Sequence, residues 1–418
     1  MKTVLTLDKN RFRINGELTY SKYPNCQEKY HGMLMNARFI QGVFDDAKDP
    51  ARFNRFGREF DPEKNTDDLI AALPEWYAKG LRAFTVGFQG GGPCFTIFGD
   101  LQNSPYSEDG TSIDEKYLGR MKRLIEAADE LGMVVIVSFF YGHQVKFLKD
   151  DEAVIAATKT ASNWLRDQGF TNVIIEIANE HDIDPYKARP VLYQDWGIVH
   201  LMEIARKESG GMPVGCSATD AYFSEAMCDY SDVILIHGNN LSPQKFYNLI
   251  VRTKNRQPEK PILCNEDSQA LTNMKVALDE GISWGYYNNM TKQEPPTPWG
   301  ITKGEDEFFA ARMAAELGIE TCELPVDEQF YLQGLEADWE WNGCRWIRLA
   351  SLYPEKIQKV EFIRNGEHYA NAYEDPFTIH FMQNWYQFPV KGITKGECWK
   401  AVVYLADGSV VVKEAVAE

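Results

Sequence analysis

Eight short apolar runs, separated by segments of helical periodicity, limit most strongly what this chain can fold into. They are RFIQGVF (38–44), LRAFTVGF (81–88), MVVIVSFFY (133–141), NVIIEIANE (172–180), PVGCSATD (213–220), DVILIHGNN (232–240), PILCNED (261–267) and ISWGYYNN (282–289). Near-continuous apolarity with many β-branched and aromatic residues suits parallel strands buried on both faces. Between them, Asp114–Ala128 carries Tyr117, Leu118, Met121, Leu124 and Ile125 at helical spacing. Ala153–Arg166, Val191–Lys207, Lys245–Thr253, Asn273–Asp279 and Glu307–Leu317 continue the helical series.

After about Pro325 the texture changes. KIQKVEFIRNGEHYANAYEDPFTIHF (356–381) alternates apolar and polar residues around Asn365-Gly366, and CWKAVVYLADGSVVVKEAV (398–416) does so around Asp407-Gly408. Such alternation around these turns predicts antiparallel hairpins. RFRINGELT, with Asn15-Gly16, predicts another.

The pattern as a whole predicts an α/β fold, a (β/α)8 TIM barrel over residues 25–322, followed by a C-terminal all-β sandwich over 325–418. Residues 1–24 form strands packing on the barrel or on the sandwich. A doubly wound open sheet is the alternative for the central region. It would be expected to carry a GxGxxG or Walker-type loop after its first strand, and the chain has neither there. Gly90-Gly91-Gly92, followed by Pro93, reads as a turn.

Composition narrows the partners. With 61 acidic and 44 basic residues the formal charge is −17, which disfavours nucleic acid and anionic membrane surfaces. No run approaches the roughly 20 apolar residues of a membrane span. The opening MKTVLTLDKN lacks a secretory apolar segment. A cytoplasmic location is therefore expected for the chain as it stands, and a secreted or periplasmic one if a signal precedes it. The eight cysteines show no CxxC pair and read as reduced core thiols.

In a barrel of this kind, chemistry gathers at the C-terminal ends of the strands. The fourth run ends Ala178-Asn179-Glu180 and the seventh Cys264-Asn265-Glu266. Strands four and seven face each other across the mouth, so their glutamates can converge. Glycoside hydrolysis needs such a pair, one carboxylic acid to protonate the leaving oxygen and one carboxylate to attack the anomeric carbon or activate water. Mutual repulsion should then raise the pKa of Glu180 beside an ionised Glu266.

IIEIANE and KPILCNED resemble the strand-four and strand-seven signatures of clan A glycoside hydrolases, the 4/7 superfamily of cellulases, mannanases and β-galactosidases. WGYY (284–287) is similar to the clan's strand-eight aromatic segment. The resemblance covers roughly residues 35–320, and the C-terminal stretches resemble the Ig-like modules of carbohydrate-active enzymes. It implies Glu180 as acid/base, Glu266 as nucleophile, Asn179 on the sugar 2-hydroxyl, His237 near the nucleophile and Trp284 as sugar platform. His181 after the Asn-Glu pair, where many members have Pro, and Asn265 before Glu266 depart from the pattern.

Other strand-end residues are candidates for contacting the sugar: His143, Tyr222 and Asp45 foremost, then Asp46, Asp220, Trp196, Tyr286 and Trp299. Each has a plainer reading. The histidines can be satisfied groups in a polar funnel, Trp284 part of an aromatic core, Asp45 a loop cap, and Glu176 a structural buried acid. No cofactor is expected. A metal-dependent barrel hydrolase using His143, Glu180, His181 and His237 is an alternative, although no HxH pair or HExxH is present. A non-catalytic carbohydrate-binding barrel is another. The expected partner is a carbohydrate, with a neutral sugar fitting better because no basic cluster lies at the strand ends. Sugar identity, exo or endo action and oligomeric state are left open by the sequence.

Overall fold

A computed structural model of the protein describes residues 1–55, 57–91, 101–293 and 295–418. Cys94 and the end of the expected turn, Gly92-Pro93, lie outside these. Strands β1 (Leu5–Asp8), β2 (Arg11–Ile14) and β3 (Glu17–Leu18) form an antiparallel sheet. Its second turn is Asn15-Gly16, both at positive φ (54° and 81°), the geometry that an Asn-Gly pair supplies to a two-residue hairpin.

The apolar runs then form parallel strands: β4 (Asn36–Arg38), β5 (Ala83–Gly87), β6 (Val134–Tyr141), β7 (Val173–Asn179), β8 (Val214–Gly215), β9 (Ile234–His237), β10 (Ile262–Glu266) and β11 (Gly285–Tyr286). The ladder is a six-stranded parallel sheet, β11-β4-β5-β6-β7-β8, and a separate parallel pair, β9 and β10. Hydrogen bonds reach across both gaps. Asp232 N donates to Val214 O at 2.8 Å, and Cys264 N to Ser283 O at 3.0 Å.

The first run is strand only at its start. Its later carbonyls are taken by the helix Pro62–Ala78, whose Asn65 Nδ2 donates to Gln41 O and whose Thr66 hydroxyl donates to Gly42 O. That helix is absent from the sequence prediction, which the charged first turns and Pro74 obscure. Asp61 caps it by accepting from Glu63 N and Lys64 N, and Pro62 fits its first turn.

At the N-terminal ends of the parallel strands, Leu5 and Phe12 pack with Leu34, Ala83, Val134, Ile136, Ile174, Val233, Leu235 and Leu263. The opening sheet thus seals that end. Beyond residue 325, Ile357–Arg364, Glu367–Ala372, Cys398–Leu405 and Val410–Val416 form a four-stranded antiparallel sheet. Phe330–Gln333, Arg348–Ser351 and Phe377–Thr378 form another. Side chains of both, including Phe330, Leu349, Phe362, Trp399 and Val403, share one core. Among the described residues no helix is long and apolar enough to cross a membrane.

The all-β region is bolted to the helix Glu305–Glu316 by a buried ion pair. Arg348 Nε lies 2.6 Å from Glu305 Oε1 and its Nη2 donates to Glu305 Oε2 at 2.6 Å. Removing the cation strands a buried carboxylate. Arg348→Ala should lower unfolding free energy by about 3–5 kcal/mol, read from urea denaturation with the wild type alongside.

Candidate active site

Successive side chains of a regular strand face opposite ways, yet the interior end of the parallel strands receives two adjacent residues from each of two strands. Asn179 and Glu180 both line one cavity at the C-terminal strand ends. Glu180 manages this with φ 54°, in the left-handed region, a conformation seldom adopted by a non-glycine residue and concentrated at functional sites. On β10 the register with β9 slips between Cys264 and Glu266. This irregularity lets Asn265 donate to Glu176 Oε1 at 2.8 Å while Glu266 also reaches the cavity. Bulges re-aim side chains in this way beside active sites.

Glu176, fully buried on β7, serves both ends. Besides Asn265, its Oε1 accepts from the Ser217 hydroxyl at 2.8 Å, and Ser217 Oγ accepts from the Glu180 backbone N–H at 3.1 Å. The structural role expected for Glu176 is therefore to tie the backbone of Glu180 to the residue preceding Glu266.

Around the two glutamates stand Arg38, His237 and Asn239. Arg38 Nε lies 2.8 Å from Glu266 Oε2, and its Nη2 donates to Asn179 Oδ1 at 2.8 Å. Asn239 Nδ2 donates to Glu266 Oε1 at 3.0 Å. His237 Nδ1 lies 3.0 Å from Glu180 Oε1 and 3.8 Å from Glu266 Oε2. One oxygen of each glutamate and a ring nitrogen of His237 lie within 4.8 Å of one another. Those three groups have the donor types and proximity to hold a metal ion. The Arg38 guanidinium, already on Glu266, supplies a fixed positive charge there and opposes a second cation.

Burial pushes the Glu266 carboxyl up to about 7, against the pull of Arg38 and His237 and with the push of Glu180 and Glu176. Burial acts the same way on Glu180, but the hydrogen bond and charge of His237, followed by Arg38, hold it below the ordinary carboxylate range. His237 is pressed down by burial and raised overall by Glu266 and Glu180. The order of the two acids is thus the reverse of the one expected from charge repulsion alone, because the histidine sits on Glu180.

The cavity, about 310 Å³, is lined by Arg38, Asn179, Glu180, Glu266, His143 and Asp220, with Tyr141, Thr219, Asn239, Asn240, Tyr287, Gln293 and Trp385 among the rest. His237 is fully buried and does not line it, touching instead Glu180, which does. Trp284 is corrected: it is fully buried, packs on Phe309 and donates from Nε1 to Asp267 at 2.8 Å. The aromatic of the eighth run that reaches the cavity is Tyr287. Tyr286 and Trp299 are also core.

Tyr222 and Asp45 do not line the cavity either. Tyr222 is exposed, edge-on to His181 with ring centroids 5.6 Å apart, and faces Asp195. Asp45 turns to Arg120, 3.7 Å away, and Asp46 accepts from Gln102 N at 3.0 Å, so both serve loops. Trp196 is exposed and does not line the cavity. Arg38, Asn239 and Trp385 were missed. Arg38 and Asn239 sat inside the first and sixth runs, where a polar strand-end residue was the available signal. Trp385 lies in the C-terminal region, beyond the reach of strand-end reasoning.

No family model matches the sequence, and a search of curated proteins finds no match. Solved structures do match in shape. A Bacteroides vulgatus protein assigned as a glycoside hydrolase aligns with 99% of this chain and 82% of its own, at TM-score 0.53 and 10% identity. The chain shares that protein's fold. β-Glucuronidase 2 of Bacteroides uniformis aligns over the whole chain at TM-score 0.45 and 11% identity, and the chain spans 48% of its length. The endo-1,4-β-mannanase of Rhizomucor miehei aligns with 68% of this chain and 90% of its own, at TM-score 0.47 and 12% identity.

The His237 contact makes a direct prediction. In His237→Ala, Glu180 keeps its burial and loses its strongest opposing partner, so its carboxyl should titrate above the wild-type value. Carbon-13 carboxyl shifts of glutamate-labelled protein, followed against pH and assigned with Glu180→Gln, would read this. An unmoved Glu180 titration would refute the proposed control by His237.

Proposed function

We propose that the protein is a retaining β-glycosidase, acting by double displacement through a covalent glycosyl-enzyme. The observation that carries this is the pair Glu180 and Glu266, with one oxygen of each within 4.8 Å, both held in a cavity by Arg38, His237 and Asn239. Retention asks for carboxyls about 5–5.5 Å apart, and inversion for roughly 6.5–9.5 Å to admit water between them. The eight parallel strands are read as one closed (β/α)8 barrel, which the hydrogen bonds across both gaps of the ladder support. Residues 1–24 then form its floor, 25–322 the barrel and 325–418 the accessory β-sandwich.

Glu266, as carboxylate, attacks the anomeric carbon while the bond to the leaving oxygen breaks and that oxygen takes a proton from Glu180. Arg38 and Asn239 aim the nucleophile and favour its charged form. The proton for the leaving group is stored on the Glu180–His237 hydrogen bond, 3.0 Å long. It passes from the ring nitrogen to the carboxylate as the leaving oxygen draws near. In the second half, Glu180 takes a proton from water, which attacks the anomeric carbon and releases Glu266. Asn179, whose Oδ1 accepts from Arg38, would hold the sugar 2-hydroxyl.

A neutral sugar is the favoured substrate. Among the described residues the cavity is lined by the acids Glu180, Asp220 and Glu266, and its arginine, Arg38, is committed to Glu266 and Asn179. His143, the other group able to carry positive charge, is pushed by burial and Lys146 toward its neutral form. An anionic sugar would meet repulsion without a free cation to receive it.

Incubation with a panel of neutral 2-deoxy-2-fluoro-glycosyl fluorides, followed by intact and peptide mass spectrometry, tests the mechanism. The expected result is one adduct on Glu266. Glu180→Gln should lose about 10²–10⁴-fold in rate on substrates with poor leaving groups, and far less on activated aryl glycosides, which need no proton. A folded protein that neither forms an adduct nor hydrolyses any glycoside would refute the proposal.

A further inference from the structure

The C-terminal region contributes to the cavity through one tight excursion. Phe381 bridges Gln387, and within that turn Gln383 N donates to Tyr386 O at 3.2 Å. At its tip, Asn384 is pinned to the loop after β9. Its Oδ1 accepts from Asn240 N at 2.6 Å, and its Nδ2 donates to Leu241 O at 3.1 Å and Gly238 O at 3.4 Å. The next residue, Trp385, is pinned on the other side, its carbonyl accepting from Asn289 Nδ2 at 2.6 Å just after β11. The stem is held as well, since Trp346 Nε1 donates to Gln387 O at 3.2 Å.

β9 and β11 flank β10, the strand that carries Glu266. A turn fastened to the loops after both therefore spans the rim over Glu266, and Trp385 lines the cavity beside Glu180, Glu266 and Tyr287. Asn384 is nearly fully buried, so the placement is built rather than incidental. The eighth strand's own tryptophan, Trp284, is spent in the core. An indole at a partly exposed rim, stacked on Tyr386 with centroids 6.3 Å apart, offers the apolar surface that a pyranose C–H face packs against.

We propose that Trp385 is a sugar-contacting aromatic of this site, beside Tyr141 and Tyr287 in the same cavity, so that the all-β region takes part in selecting the substrate. The chemistry it selects is a neutral pyranose with one face free of axial hydroxyls. This rests on the glycosidase reading above. Trp385 takes no part in bond making, and its effect falls on binding.

The test uses the full chain and whichever neutral aryl and disaccharide glycosides the wild type hydrolyses. Trp385→Ala should raise KM about tenfold, with kcat changed much less, and Trp385→Phe should restore most of the loss. Trp385→Leu fills space without a ring and should behave like the alanine variant. Asn384→Ala, which frees the tip, should shift KM in the same direction. Thermal melting of each variant confirms that the fold is intact, and the Glu266 adduct should still form at higher probe concentration. An active wild type whose Trp385 variants keep an unchanged KM on every substrate would overturn the role of Trp385 alone. A folded wild type with neither hydrolysis nor adduct would overturn the glycosidase reading, and this role with it.

Discussion

Side chains alternate along a strand, and this site works only if the alternation is broken twice. Asn179 with Glu180, and Asn265 with Glu266, must each turn neighbouring side chains toward the same interior space. One break is a left-handed residue and the other a slipped register. Both are unfavourable locally, and both need a surrounding structure that determines them. Glu176 provides it. Its carboxylate gathers Ser217 and Asn265, and through them it holds the β7 and β10 ends in one relation. The pairing of the two glutamates is a consequence of that buried bridge.

The same concentration of acids explains the cations. Three glutamates share an interior with Arg38 and His237, and desolvation makes uncompensated charge there expensive. Each cation is set against one acid, the arginine at Glu266, whose carboxyl burial still pushes up to about 7, and the histidine at Glu180, which it holds below the ordinary carboxylate range. His237 approaches both acids, 3.0 Å from Glu180 and 3.8 Å from Glu266, so the charge on any one of the three bears on the other two. A substrate oxygen entering between the glutamates would disturb all three groups together.

Much of this was legible in the chain. The eight runs correspond to the eight parallel strands, and the Asn-Gly and Asp-Gly turns to hairpins, because those signals are local: apolar run length, alternation and turn chemistry. Glu180, Glu266, Asn179 and His237 come together because strand-end position is readable from where an apolar run stops. Trp284 was misplaced for a related reason. An aromatic near a strand end faces either the mouth or the surrounding helices, and one residue of offset decides which. Here Tyr287 took the inward direction. The helix Pro62–Ala78 was hidden by charge and an internal proline. Trp385 was invisible in principle, since its position depends on contacts between segments nearly a hundred residues apart or more, such as Asn289 with Trp385 and Asn240 with Asn384.

The small sheet at the beginning of the chain has a bearing on traffic. By packing Leu5 and Phe12 against side chains that already fill the strand starts, it covers the end opposite the cavity. On the proposed glycosidase reading, substrate, departing aglycone, incoming water and released sugar would all pass the rim where Trp385 stands. Turnover would then be sequential. The first fragment would have to clear the threshold before its replacement could enter, and whatever lingered there would compete with water for the anomeric carbon.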